Sequence, residues 1–167
     1  MTDQLVLDVG YDVENFADPA RRRAYVGAVT TDPYGRILPK SAHGTATLGC
    51  FTSSTRKIVD AAMACFDEIV NAGLLARRVN LTANHLTEEG KAGAPCAFEQ
   101  LDLFTDYAAE QAKRAKEQVE LEREKRVQHA MLSIKKRFGK NALVKGFNLL
   151  EGATAMERNS QIGGHKA

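Results

Sequence analysis

The stretch Leu5-Val6-Leu7-Asp8-Val9-Gly10-Tyr11-Asp12 ("LVLDVGYD", residues 5–12) alternates strictly. Leu5, Leu7, Val9 and Tyr11 point one way, and Val6, Asp8, Gly10 and Asp12 point the other. A period of two with large apolar groups on one side predicts a half-buried strand. Such a strand must be paired and covered, so its partners are sought downstream.

The segment "HGTATLGCFT" (residues 43–52) predicts a second strand. "SSTRKIVDAAMACFDEIVNAG" (residues 53–73) predicts an amphipathic helix with a Ser/Thr cap, apolar positions at Ile58, Ala62, Cys65, Phe66, Ile69 and Val70, and a stop at Gly73. "ARRVNLTANHLT" (residues 76–87) predicts a third strand with Val79, Leu81 and Ala83 inward and Arg78, Asn80, Thr82 and Asn84 outward. Between the first two strands, "VENFADPARRRAYVGAVTTDPYGRILPKSA" (residues 13–42) reads as a long polar loop punctuated by Pro19, Pro33-Tyr34-Gly35 and Pro39. The expected fold class is α+β: about three antiparallel or mixed strands with one packed helix over residues 1–88. Three strands and one helix make a thin core, and the order β–β–α–β reads as a fold lacking its first elements.

Residues 89–104 are a linker by composition. Residues 105–138 contain no Gly or Pro and predict a long helix, charged nearly all round in its first half, with a late stripe of Val127, Ala130, Met131, Ile134 and Phe138. Gly139 ends it. Residues 139–167 hold five glycines and no strong periodicity, so a poorly ordered tail is expected there. From Lys135 onward there are seven basic residues (Lys135, Lys136, Arg137, Lys140, Lys145, Arg158, Lys166) against Glu151 and Glu157. That asymmetry suits contact with nucleic acid or with an acidic protein face, and equally a solvated end.

Composition excludes several classes. No apolar run approaches the ~20 residues of a membrane span. The N-terminus lacks the basic region and small-residue cleavage site of a signal peptide, so a cytoplasmic location is expected. Cys50, Cys65 and Cys96 are widely spaced and form no C-x-x-C, and the histidines stand alone, so neither a zinc site nor a disulfide framework is expected.

Two segments carry a family resemblance. The tail "MLSIKKRFGKNALVKGFNLLEGATAMERNSQIGGHKA" (residues 131–167) resembles the C-terminal end of UmuC/DinB-like Y-family translesion DNA polymerases. The body "LVLDVGYDVEN…YGRILPKSAHGTATLGCFTSSTRKIVDAAMACFDEIV…RRVNLTANHL" resembles the little-finger domain of the same proteins. The resemblance covers nearly the whole chain. It implies a domain that grips duplex DNA, with the first strand and helix of the little finger and everything upstream lying outside this sequence.

It does not bring an active site. "YDVENFA" looks a little like the family's first palm motif and "CFDEI" like its later Ser-x-Asp-Glu motif, yet Asp67 and Glu68 lie mid-helix, pointing about 100° apart. Asp8 and Asp12, which could share a strand face, lack a third acid. No catalytic residue, metal ligand or cofactor is therefore assigned. The magnesium ions of such polymerases would belong to the palm.

A non-specific duplex grip needs cations and hydrogen-bond donors spaced to meet phosphates. The candidates are Thr45 and Thr47 on one strand, Arg78, Asn80 and Thr82 on another, Lys40 and His43 leading in, and Thr52, Ser53, Ser54 and Arg56 at the start of the helix. The alternatives are a helix cap for Ser53 or Ser54 and a merely solvated sheet face for Arg78, Asn80 and Thr82.

The second candidate site is Gln100-Leu101-Asp102-Leu103-Phe104. One reading is a hydrophobic staple, Phe98 or Leu101 packing on Tyr107 with Thr105 or Asp106 as cap. The favoured reading is that this peptide resembles the motif by which bacterial polymerases and repair proteins hold the sliding clamp. Residues 90–95 supply the tether, Gln100 the polar anchor, and Leu101, Leu103 and Phe104 the pocket-filling groups. The expected function is thus DNA and clamp binding within lesion bypass and the SOS response, alongside the remainder of a polymerase. The alternative is a non-enzymatic interaction module that oligomerises through its C-terminal helix.

Overall fold

The computed structural model describes residues 1–91, 107–162 and 165–166. The chain divides into two units, Met1–Leu101 and Asp102–Ala167. It is a mixed α+β fold with a small antiparallel sheet, a packed helix and a long C-terminal helix.

The first unit is organised by strand β1, Thr2–Tyr11, which begins three residues before the alternating stretch and ends one residue before Asp12. The other elements of the unit are α1 (Pro19–Ala24), β2 (Val29–Thr31), β3 (Ile37–Pro39), β4 (Ala42–Thr52), α2 (Thr55–Ile69) and β5 (Ala76–Asn84). The main sheet has the order β4-β1-β5, with β1 antiparallel to both neighbours. The expected alternation is present: Leu5, Leu7, Val9 and Tyr11 are all buried, Val9 completely.

Directly paired residues in an antiparallel sheet share a face. One face is therefore built from Ala42, Gly44 and Ala46 on β4, Leu5, Leu7 and Val9 on β1, and Val79, Leu81 and Ala83 on β5. Helix α2 packs on it through Cys65, Phe66 and Ile69. The row of small residues on β4 lets the helix come close: a Cβ on Gly44 would stand 2.8 Å from Cys65 Sγ and 2.9 Å from Ile69 Cγ2. Seated there, α2 covers β4 and β1 and stops short of β5. Val79 and Leu81, expected inward, are on the helix side of the sheet but remain 56 % and 48 % exposed.

Helix α2 ends at Ile69, four residues before Gly73. Val70 is already extended, and the Asn71 side chain accepts from the Gly73 N–H at 2.9 Å in a tight turn. The Tyr11 hydroxyl accepts from the Asn71 N–H at 3.0 Å, fixing that turn to the end of β1.

Residues 13–42 are not an unstructured loop. Asp12 caps a 3-10 turn at Val13–Phe16, Asp18 caps α1 with Pro19 in its first turn, and β2 and β3 form a hairpin. Asn15, 1 % exposed, holds the excursion to the sheet. Its Oδ1 accepts from the Leu75 N–H at 2.8 Å, and its Nδ2 donates to the carbonyls of Leu75 (3.0 Å) and Asp12 (2.9 Å). In the hairpin turn, Asp32 accepts from the Tyr34 and Arg36 N–H groups at 2.9 and 3.0 Å and pairs with the Arg36 guanidinium at 2.7 Å, while Gly35 takes φ +79°.

In the second unit, α3 runs from Tyr107 to Phe138 without a buried residue. Glu110 lies 3.3 Å from Arg114 one turn on. The stripe residues Val127 and Phe138 are exposed, and Met131 and Ile134 are half-buried. Gly139, at φ +96°, donates its N–H to the Lys135 carbonyl and ends the helix as expected. The tail carries more structure than its composition suggests: a 3-10 turn at Gly146–Leu149, helix α4 at Ala155–Asn159, and a backbone pairing of β6 (Gln161–Ile162) with β7 (His165–Lys166). The Asn141 side chain donates to the Met156 carbonyl at 3.0 Å and accepts from Asn159 at 2.7 Å, ties that no periodicity announces.

Two outcomes test this packing. Gly44→Ala should lower stability by about 1–3 kcal/mol, the cost of forcing extra volume into a tight contact, and Cys65→Ala in the same chain, which removes the nearest atom, should restore part of it, read from urea midpoints. For the hairpin, burial works to raise Asp32, but the Arg36 N–H, the Arg36 guanidinium and the Tyr34 N–H together outweigh it and hold the carboxyl below its ordinary 3.8. Its contribution is therefore present above that ordinary value and lost as pH falls through the lower folded one. Amide shifts of Asp32 to Arg36 followed in acid should show the hairpin loosening only there.

Candidate nucleic-acid interface

The other face of the sheet is polar, and the register sorts it into rows running across the strands. His43, Asp8 and Asn80 form one row; Thr45, Val6 and Thr82 the next; Thr47, Gln4 and Asn84 the third. Arg78, opposite Gly10, stands beyond the first. Six of the sequence candidates (His43, Thr45, Thr47, Arg78, Asn80 and Thr82) are thus brought onto one surface. All six are exposed, and among the described residues the helix that packs on the sheet, α2, lies on the other side. Strand spacing of about 4.8 Å sets β4 and β5 roughly 10 Å apart across β1. In the third row, Asn84 Nδ2 donates to Gln4 Oε1 at 3.0 Å, which fixes both amides.

The remaining candidates lie elsewhere. Lys40 is exposed just before β4, its N–H donating to the Ala28 carbonyl at 2.8 Å. Thr52 and Ser54 are buried at the junction of β4 and α2. Thr52 Oγ1 accepts from the Ser54 N–H at 3.0 Å, and Ser54 Oγ caps α2 by accepting from the Lys57 N–H at 3.3 Å. Ser54 therefore takes the helix-cap role that the sequence left open for Ser53 or Ser54, and Thr52 braces the turn just before it. Ser53 and Arg56 are exposed beside them.

The carboxylates that mimic palm motifs are separated. Asp8 Oδ2 lies 3.7 Å from His43 Nδ1 on the polar face. Asp12 has left the strand, accepting from the Glu14 N–H at 2.9 Å and lying 3.6 Å from Arg77. Asp67 and Glu68 are exposed on α2. Among the described residues no group of three or more His, Cys, Asp or Glu side chains is placed to hold a metal ion, and no helix is long and apolar enough to cross a membrane.

Sequence reasoning did not weigh Gln4 and Asn84 as a linked pair or the place of Asp8 between His43 and Asn80. Both follow from the register, which the strand patterns alone do not fix. The peptide Gln100–Phe104 lies outside the described residues.

The cap and the polar face separate by mutation. Ser54→Ala should cost about 1 kcal/mol of stability while leaving the affinity of the folded protein for a duplex within twofold of the wild type. A thermal melt paired with a fluorescence-anisotropy titration reads both quantities.

No family model, no curated protein and no solved structure matches this chain.

Proposed function

We propose that this chain is the DNA- and clamp-engaging part of a UmuC/DinB-like Y-family translesion polymerase. In this reading the first unit is a partial little finger that rests on duplex DNA in the cytoplasm, and catalysis with its magnesium ions belongs to a palm outside this sequence. The observation that carries the DNA half is the register. It gathers hydroxyls, amides and Arg78 from three strands onto one open surface, the donor set that phosphodiester contact without base readout requires. The clamp half rests on the sequence Gln100-Leu101-Asp102-Leu103-Phe104 between a Gly/Ala-rich tether and α3.

Self-association through α3 is the weaker reading. Val127, Met131, Ile134 and Phe138 keep coiled-coil spacing, but the equivalent positions one heptad earlier are Glu120 and Glu124. The seam is shorter than the about three to four heptads that sustain a stable coiled coil.

Arg78→Ala should weaken binding to an arbitrary duplex and reduce the slope of log affinity against log salt by about one. Replacing Leu103 and Phe104 together with Ala should abolish capture by a purified bacterial sliding clamp and leave duplex binding intact. Unchanged salt dependence in the first case removes the DNA reading, and undiminished capture in the second removes the clamp reading.

A further inference from the structure

One acid stands in the middle of the polar face. Within the rows His43–Asp8–Asn80, Thr45–Val6–Thr82 and Thr47–Gln4–Asn84, together with Gly10 and Arg78, Asp8 is the single carboxylate. It sits on the central strand, with His43 directly opposite on β4 and Asn80 directly opposite on β5. The charged or titratable side chains around it are His43, whose Nδ1 lies 3.7 Å away, and Arg78, the next β5 residue on the same side. The neighbouring acids are engaged elsewhere: Asp12 with Arg77, and Asp3 with His85 at 2.8 Å. Asp is among the poorest residues for a strand interior, and the threonines in the adjoining rows show what the sheet itself would favour.

Resting on the reading of this face as a DNA-contact surface, we propose that Asp8 sets its affinity and the track of the phosphates across it. A carboxylate between the two donor strands repels phosphate from the row it occupies. Backbone contacts are thereby confined to the Thr45–Val6–Thr82 and Thr47–Gln4–Asn84 rows and to Arg78. The grip stays weak and salt-sensitive, which suits a surface that must shift along a duplex rather than lock onto it.

The test is a charge series on the full chain: Asp8→Glu, Asp8→Asn, Asp8→Thr and Asp8→Lys, titrated with a duplex of arbitrary sequence at several salt concentrations. Removing one like charge roughly 6 Å from a phosphate should tighten binding about threefold to tenfold. Asn and Thr should both give that gain, Lys should exceed it with a steeper salt slope, and Glu should match the wild type. Threonine, a better strand former, keeps the test valid if the Asn variant folds poorly. If the neutral and Lys variants bind like the wild type while Arg78→Ala weakens binding, the role of Asp8 is overturned and the DNA face stands. If Arg78→Ala is also silent, the face is not a DNA surface and both proposals fall.

Discussion

The first unit depends on how closely α2 approaches β4. The row Ala42, Gly44, Ala46 offers almost no side-chain volume, so Cys65 and Ile69 can descend onto Leu7 and Val9 and exclude water from the centre of β1. A larger residue at Gly44 would lift the helix off the strands it covers. The same seating decides what is left uncovered. A helix drawn toward β4 cannot also reach β5, and the apolar side chains of Val79 and Leu81 stay in contact with solvent. Among the described residues the opposite face of the sheet carries no packed helix, and polar side chains from three strands are presented there together.

The sequence announced the elements whose signal is periodic. The two-residue alternation of β1 and the apolar positions of α2 from Ile58 to Ile69 are shielded as their spacing requires, and Gly139 ends α3 because its left-handed backbone conformation favours glycine. What stayed hidden is structure held by single polar side chains. Asp12, Asp18 and Asp32 organise residues 12–36 through bonds to nearby backbone N–H groups, Asn71 ends α2 before its glycine, and Asn141 ties the tail together. Such bonds leave no period to read.

The candidate interface was legible to the same extent. Alternation put Thr45, Thr47, Arg78, Asn80 and Thr82 on outward faces, but which residue stands beside which depends on pairing, and pairing depends on the covered side of the sheet. Thr52 and Ser54 show the limit of residue type as a guide. A hydroxyl at a helix start can meet an anion or cap the helix, and here the bond to the Lys57 N–H defines the second role.

The path between β1 and β4 has a consequence for how such a domain can vary. The chain leaves the sheet at Tyr11 and returns at Ala42, where it pairs with Val9, so the excursion begins and ends at neighbouring points. Asn15 fastens its near end to Leu75, and within it the Lys40 N–H closes the β2–β3 hairpin on the Ala28 carbonyl. Leaving at Tyr11 and returning at Ala42, the excursion is a loop closed at neighbouring points, and doubling the length of such a loop costs only about 0.6 kcal/mol. Its exposed middle, residues 17–37, can be lengthened, shortened or exchanged with little effect on the sheet, whereas Asn15 and Pro39, buried at its two ends, are constrained like the strands they adjoin.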